Sequence, residues 1–222
     1  MRTRGFDLAP DPLGVDEMGR EILTYIPGTT VGWFLPWPEV IRSDELLVQV
    51  GEATASYHRA VANFRPTGTV PWQSGSAKLE DSEIVCHHDL APYNTVIADG
   101  RLLGIIDWDL AGPGTARAEL AFVAWQWVPL QGPLVTRFVG WETPPDHARR
   151  LRLLLDAYGL HDRSGFIDEI VDRIGYNRDI MTRRAAEGNE AYQSLIEQGH
   201  VAGMDEALTF LAENGDRLQD QL

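Results

Sequence analysis

The feature that most restricts the fold of this 222-residue sequence is a series of short strand signals between residues 84 and 107. Asp99-Gly100 is a two-residue turn signal, and it lies between short apolar runs at Thr95–Ala98 and Leu102–Asp107. This pattern predicts a β-hairpin, because Asp-Gly readily adopts the positive φ angles of a tight hairpin turn. Ile84–His87 predicts one further strand, so the polar loop that follows His87 is expected to lie between strands.

Helical patterns surround this small β region. Apolar residues recur at helical spacing over 44–63, and Ser43 provides an N-cap just before the first turn. Residues 1–28 carry a second hairpin signal, and residues 29–42 and 64–82 are expected to be loops. The predicted fold class is therefore α+β, with a small β-rich amino-terminal piece and a mostly helical body. The other predicted helices lie at 118–129, 146–158, 164–186, 189–198 and 203–218.

Composition excludes several classes of function. The formal net charge is −14, which argues against nucleic acid as a partner, because binding to a phosphate backbone requires the opposite sign. No apolar run approaches the roughly 20 residues that span a bilayer, and the first residues lack the apolar core of a secretory signal. Cys86 is the only cysteine, which fits a reducing compartment, and we expect a cytoplasmic protein. The acidic surface either attracts a cationic small molecule or simply maintains solubility.

Three polar residues in and after the predicted loop indicate phosphoryl transfer. That reaction needs a carboxylate to orient the acceptor hydroxyl and oxygen ligands to hold metal ions against the nucleotide phosphates. Asp89 follows a strand directly, Asn94 follows Asp89 by five residues, and Asp107 ends the next hairpin. The spacing H-x-D-x-x-x-x-N, followed by an apolar strand that ends in Asp, is typical of kinase catalytic loops.

The same residues resemble the aminoglycoside phosphotransferase and choline kinase family more than the protein kinases. His87-His88-Asp89 and Asp107-Trp108-Asp109 stand where a protein kinase would have His-Arg-Asp and Asp-Phe-Gly. The likeness continues through residues 112–121, where Glu119 replaces an aspartate that is common in the family and is expected to brace the loop. Gly19–Gly28 is similar to the strand and hinge that join the two lobes.

The resemblance implies a protein-kinase-like fold and a role for each polar residue. Residues 1–28 would be a remnant of the N-lobe with the hinge, and residues 29–222 the helical C-lobe that carries the catalytic loop and metal-binding hairpin. Asp109 either supports or shares the metal site, or is a solvent-facing turn residue. The remaining roles are Asp89 as catalytic base, Asn94 and Asp107 as Mg²⁺ ligands, His87 as a brace near Asp107, and the backbone of Tyr25 and Ile26 as the adenine contact of ATP.

The expected phosphate-binding part of the N-lobe is missing. The family needs a lysine on an early strand and a loop over the phosphates, yet the only lysine among 19 basic residues is Lys78, beyond the hinge. We consider three explanations: truncation, a degenerate homologue, or a second chain that completes the lobe. Because an unpaired strand edge favours association, a homodimer is expected.

Two functions follow from the sequence. The first is an ATP-dependent phosphotransferase that acts on a hydroxyl of a small molecule, either an aminoglycoside or another cationic metabolite. The alternative is a non-catalytic, pseudokinase-like ligand-binding protein without the phosphate-binding N-lobe. The sequence does not identify the acceptor or distinguish ATP from GTP.

Overall fold

The computed structural model describes residues 1–32, 35–75 and 78–222. The two predicted loops contain residues 33–34 and 76–77, and at those positions the prediction lies outside the described residues. The strands are β1 (Pro12–Val15), β2 (Glu21–Leu23), β3 (Ile84–Cys86), β4 (Thr95–Ala98), β5 (Arg101–Ile105) and β6 (Gly112–Gly114). The helices are α1 (Asp44–Val61), α2 (Ala116–Trp127), α3 (Pro133–Phe138), α4 (His147–Tyr158), α5 (Phe166–Ala186), α6 (Glu190–Glu197) and α7 (His200–Gln219).

The described strands form three antiparallel pairs, β1 with β2, β4 with β5, and β3 with β6. Asp99 and Gly100 connect β4 to β5 with φ angles of 50° and 74°. Positive φ at both central residues is the geometry expected for an Asp-Gly hairpin turn, so this predicted hairpin is confirmed. It lies beside the loop that follows β3, and that loop contains Asp89 and Asn94, whereas Asp107 follows the end of β5.

The core lies between the helices because their apolar stripes face one another. Ser43 caps α1 by accepting a hydrogen bond from the Leu46 amide at 3.2 Å, as predicted. α1 approaches α4 closely at Gly51, where an added Cβ would lie 2.8 Å from the Cβ of Ala157. α2 is buried from Glu119 to its last residue. It is the central helix of the body, and Glu119 contacts the start of the loop that follows β3.

The structure differs from the sequence prediction at two short elements and at the ends of several others, among them β3, which ends at Cys86 rather than His87. β6 and α3 were not predicted, because Gly-Pro-Gly and a six-residue helix carry no periodic signal. β5 ends at Ile105 rather than Asp107. The strand ends there because Ile106 bonds to the loop instead, and Asp107 turns the chain with a φ of 63°.

The first ten residues contact the helical body. Phe6 is 1% exposed, and its ring centroid lies 5.3 Å from that of Tyr57. The carbonyl of Leu8 accepts a hydrogen bond from the Ile105 amide at 2.7 Å. The β1–β2 hairpin that follows is exposed along both strands. None of the helices in the described ranges combines the length and apolar character needed to cross a membrane.

Candidate active site

Asp89 has hydrogen bonds to both oxygens of its carboxylate. The Tyr93 hydroxyl donates to Oδ1 at 2.8 Å, and Asn94 Nδ2 donates to Oδ2 at 2.9 Å and to the Asp89 carbonyl at 2.9 Å. Burial raises the pKa of Asp89 to about 6, although both of these hydrogen bonds act to lower it. The side chain is therefore held in one orientation, and its pKa lies above the ordinary range of a carboxyl group.

Asn94 and Asp107 are brought together by the hairpin. The carbonyl of Asn94 accepts a hydrogen bond from the Ile106 amide at 2.9 Å, so the loop and the end of β5 are joined directly. Asp107 follows with an exposed side chain. Burial is the largest cause of the raised pKa of Asp89, and the negative charge of Asp107 is a smaller one that acts in the same direction. The two carboxylates therefore interact electrostatically. The structure thus places the three predicted residues around one site.

His87 links the start of the loop to the end of the hairpin. Its Nδ1 accepts a hydrogen bond from the Asp89 amide at 3.3 Å, which requires the proton to lie on Nε2. Nε2 then donates to the Ile106 carbonyl at 3.0 Å, and the ring packs 4.4 Å from Trp108. Burial lowers the pKa of His87 and keeps it neutral. These contacts are those of a brace rather than a proton carrier.

Glu119 supports the loop from α2. It is 1% exposed, its Oε1 accepts the His88 amide hydrogen at 2.8 Å, and its Oε2 lies 2.9 Å from His58 Nε2. Burial alone would raise the pKa of Glu119, but the hydrogen bond from His58 and the nearby histidines lower it to about 2. The Tyr158 hydroxyl contacts His58 Nδ1 at 2.8 Å and completes this series of hydrogen bonds. Sequence reasoning expected Glu119 as a brace but assigned no role to His58 or Tyr158, which lie far from it in sequence.

His88 was also assigned no role, and it has several contacts. Its φ angle is 68°, a conformation that favours glycine, and its ring is buried against Pro113 and Arg173. A glycine at this position would leave empty space. The His88 side chain fills that space and contacts β6 and α5. No sequence signal pointed to this, because Arg173 lies 85 positions away on another helix.

The site offers oxygen ligands suited to Mg²⁺. Asn94 uses its amide nitrogen on Asp89, which leaves the amide oxygen for a cation, and Asp107 adds a carboxylate. The described residues contain no group of three or more His, Cys, Asp or Glu side chains arranged for a metal. Mg²⁺ commonly takes one or two protein ligands and completes its shell with water and phosphate oxygens. Asp109 is exposed at the next turn. Its role in the metal site and its role as a solvent-facing turn residue both stay predictions.

Tyr25 and Ile26 lie just after β2. Ile26 packs over β5, where an added Cβ at Gly104 would meet its Cδ1 at 2.5 Å, whereas the Tyr25 side chain is 82% exposed. No backbone hydrogen bond joins either residue to another part of the described chain. The contact of Tyr25 and Ile26 with adenine stays a prediction.

Comparison with known proteins places the chain in a family. The model of the phosphotransferase enzyme family matches residues 71–154, which include the loop and hairpin. The trifolitoxin immunity protein of Rhizobium leguminosarum bv. trifolii is 34% identical over 200 residues, covering 86% of this chain and 74% of that protein.

Solved structures show the same fold at low sequence identity. A candidate aminoglycoside phosphotransferase of Ralstonia eutropha has a TM-score of 0.58 at 13% identity, covering 96% of this chain and 82% of that one. The GDP complex of aminoglycoside 2'-phosphotransferase-IIIa has a TM-score of 0.51 at 10% identity, covering 94% and 76%. These matches confirm the kinase-like α+β fold, and this chain belongs to the phosphotransferase enzyme family.

Proposed function

We propose that this protein transfers the γ-phosphoryl group of ATP to a hydroxyl group of a small molecule. The observation that carries the proposal is the Asp89 carboxylate, which is held by Tyr93 and Asn94 beside a second carboxylate at Asp107. A fixed carboxylate next to oxygen ligands for a metal is what phosphoryl transfer requires of a protein.

Each side chain has a definite task in this reaction. Asp89 orients the acceptor hydroxyl and takes its proton while the acceptor oxygen forms a bond to phosphorus and the bond from phosphorus to ADP breaks. Asn94 and Asp107 would hold Mg²⁺, which neutralises charge on the phosphates when it is bound. His87 and Glu119 keep the loop in place, so the carboxylate need not reorganise during the reaction.

The nucleotide is supported less completely than the metal. The peptide groups of Tyr25 and Ile26 suit the edge of adenine. However, residues 1–77 contain no lysine to hold the α- and β-phosphates, and Lys78 lies between α1 and β3. The residues present therefore suit a catalytic base and a bound metal ion. They do not include the lysine that usually binds the α- and β-phosphates, and we assign no step to such a lysine.

We propose a toxic, hydroxylated and cationic compound as the acceptor. The net charge of −14 favours a cation. Structural relatives include a macrolide 2'-phosphotransferase of Brachybacterium faecium and an aminoglycoside 2'-phosphotransferase, and the relative in Rhizobium is an immunity protein. An acceptor panel of aminoglycosides, macrolides and hydroxylated peptides would test this choice.

The proposed activity is tested by Mg²⁺-dependent release of ADP from ATP with each acceptor. Asp89→Asn keeps the shape of the side chain but removes the base, and we expect kcat to fall by about 100-fold or more. Asp99→Asn is the matched control, because Asp99 is exposed at the hairpin turn with a φ of 50°, which asparagine also adopts. Equal turnover by the wild type and Asp89→Asn would contradict the proposal.

The second candidate is a non-catalytic binding protein. It is favoured by the single lysine of the sequence, and an immunity protein can act by sequestering a toxin as well as by modifying it. A rise in unfolding temperature with an acceptor, together with no ADP release above background from wild type or Asp89→Asn, would support binding alone. Turnover that depends on Asp89 would exclude it.

A further inference from the structure

Arg173 on α5 is a buried charge in an unusual environment. It is 7% exposed, and no salt bridge joins it to a carboxylate of the described residues. Its guanidinium lies 5.1 Å from the ring centroid of Phe122 and 5.7 Å from that of Tyr176. Its Nε is buried without a hydrogen-bond partner. Burying an arginine costs several kcal/mol unless it is well paired, so stability alone is a poor reason for this residue.

The hydrogen bonds of Arg173 all go to the residue that precedes the proposed base. Nη2 donates to the His88 carbonyl at 2.9 Å, and Nη1 lies 3.3 Å from His88 Nδ1. Since a guanidinium only donates, His88 Nδ1 must accept and Nε2 must carry the proton, which it directs to the Pro113 carbonyl at 3.1 Å. Arg173 thus contacts His88 through both backbone and side chain.

His88 is the point at which the chain turns into the catalytic loop. Its φ of 68° costs a non-glycine residue about 1–3 kcal/mol, so surrounding contacts must hold it. Those contacts come from three elements: Glu119 of α2 binds the amide, Pro113 of β6 binds the ring, and Arg173 of α5 binds the ring and the carbonyl. Of these, only Arg173 binds the carbonyl of the peptide group that leads into Asp89, whose amide hydrogen is donated to His87.

We propose that Arg173 is a positioning residue that sets the orientation of Asp89 by holding His88 through two hydrogen bonds, one to the carbonyl of the His88–Asp89 peptide and one to the ring. The inference rests on the proposed function, because it assigns to α5 a part in the same site. A displacement of about 1 Å at a reacting group can lower a rate by roughly 100-fold. Loss of Arg173 therefore affects the chemical step more than the binding of either substrate.

The first test compares Arg173→Met with Arg178→Met. Both residues lie on α5, but Arg178 is on the surface and pairs with Asp205 at 3.1 Å. We expect Arg173→Met to lower kcat by about 10- to 100-fold while KM for ATP and for the acceptor changes less than about 3-fold. Arg173→Lys should recover part of kcat, because an ammonium can still donate to the His88 carbonyl. A folded Arg173→Met variant with unchanged kcat would overturn the inference.

The second test does not depend on turnover. Hydrogen exchange measured by mass spectrometry should show faster exchange over residues 88–94 in Arg173→Met than in the wild type, with no change in Arg178→Met. If wild-type protein shows no turnover with any acceptor, the proposed function fails, and this measurement still decides whether Arg173 holds the loop. Equal exchange in all three proteins would refute that role.

A third variant covers the case in which Arg173→Met does not fold. His88→Asn keeps a residue that tolerates the left-handed backbone but removes the ring contacts to Arg173 and Pro113. We expect it to accelerate exchange over residues 88–94 and to lower kcat less than Arg173→Met does, because the bond from Arg173 to the backbone carbonyl is retained. No change in either measurement would contradict the proposal.

Discussion

Replacement of Glu119 by alanine should destabilise the protein by about 2–6 kcal/mol, because two buried hydrogen-bond donors would lose their acceptor. The structure shows why: the His88 amide and the His58 ring would both lose their acceptor in a site from which water is excluded. Each such unsatisfied donor costs about 1–3 kcal/mol. A natural domain has only about 5–15 kcal/mol of stability in total, so the effect is large.

Glu119→Gln provides a graded comparison. Its carbonyl oxygen can still accept the His88 amide hydrogen, and His58 can change tautomer to accept from the new amide. We therefore expect a cost of about 1.5–3 kcal/mol, close to that of one hydrogen bond with a charged group.

Urea unfolding followed by tryptophan fluorescence measures both effects. Glu213→Ala is the control, because Glu213 is exposed on α7 and its replacement should change stability by less than about 0.5 kcal/mol. If Glu119→Ala costs no more than this control, the assignment of Glu119 as the loop brace is wrong.

Three other predictions concern the pH dependence of stability, the pKa of Asp89 and the oligomeric state. Burial lowers the pKa of His87 and His88 below the unfolded value of about 6.5, so their contribution to stability is present above that pH and is lost as the pH falls further. The raised pKa of Asp89 acts in the opposite direction over the same range, so the test uses Asp89→Asn, which lacks that carboxyl. The urea midpoint of Asp89→Asn should decrease between pH 7.5 and 5.5, and a constant midpoint would contradict this. Tyr93→Phe should raise the pKa of Asp89 further above about 6 in metal-free protein, because a hydrogen bond that favours the charged carboxylate is lost; NMR titration of the carboxyl carbon measures it, and an unchanged value would refute it. We also expect a homodimer through the exposed β1–β2 hairpin, so Ile22→Asp should convert it to a monomer in light scattering, whereas a monomeric wild type at high concentration would exclude it.

The local part of the site could be predicted from the sequence. Asp89 and Asn94 are five residues apart and are joined by a hydrogen bond within one loop, so their spacing alone determines the contact. The Asp-Gly turn likewise fixes the hairpin that brings Asp107 to the loop. Such contacts depend on short chain segments with strong turn and strand preferences, and their pattern is visible in one sequence.

The support of the site depends on contacts that no local pattern encodes. Glu119 meets His58 across 61 positions, and Arg173 meets His88 across 85. α2 carries apolar residues on all sides, so its burial was predictable, but which polar side chain it would direct at the loop was not.

The sequence by itself determined the candidate site of this protein: one carboxylate, an amide and a second carboxylate at the spacing of a phosphotransferase loop, next to a hairpin whose Asp-Gly turn is set locally. Only the tertiary structure decided what keeps that loop in place, with Glu119 of α2 beneath the His88 amide and Arg173 of α5 on its carbonyl. The reason is physical: a buried polar group must find a partner, but any element that packs nearby can provide it, and packing is a property of the whole chain.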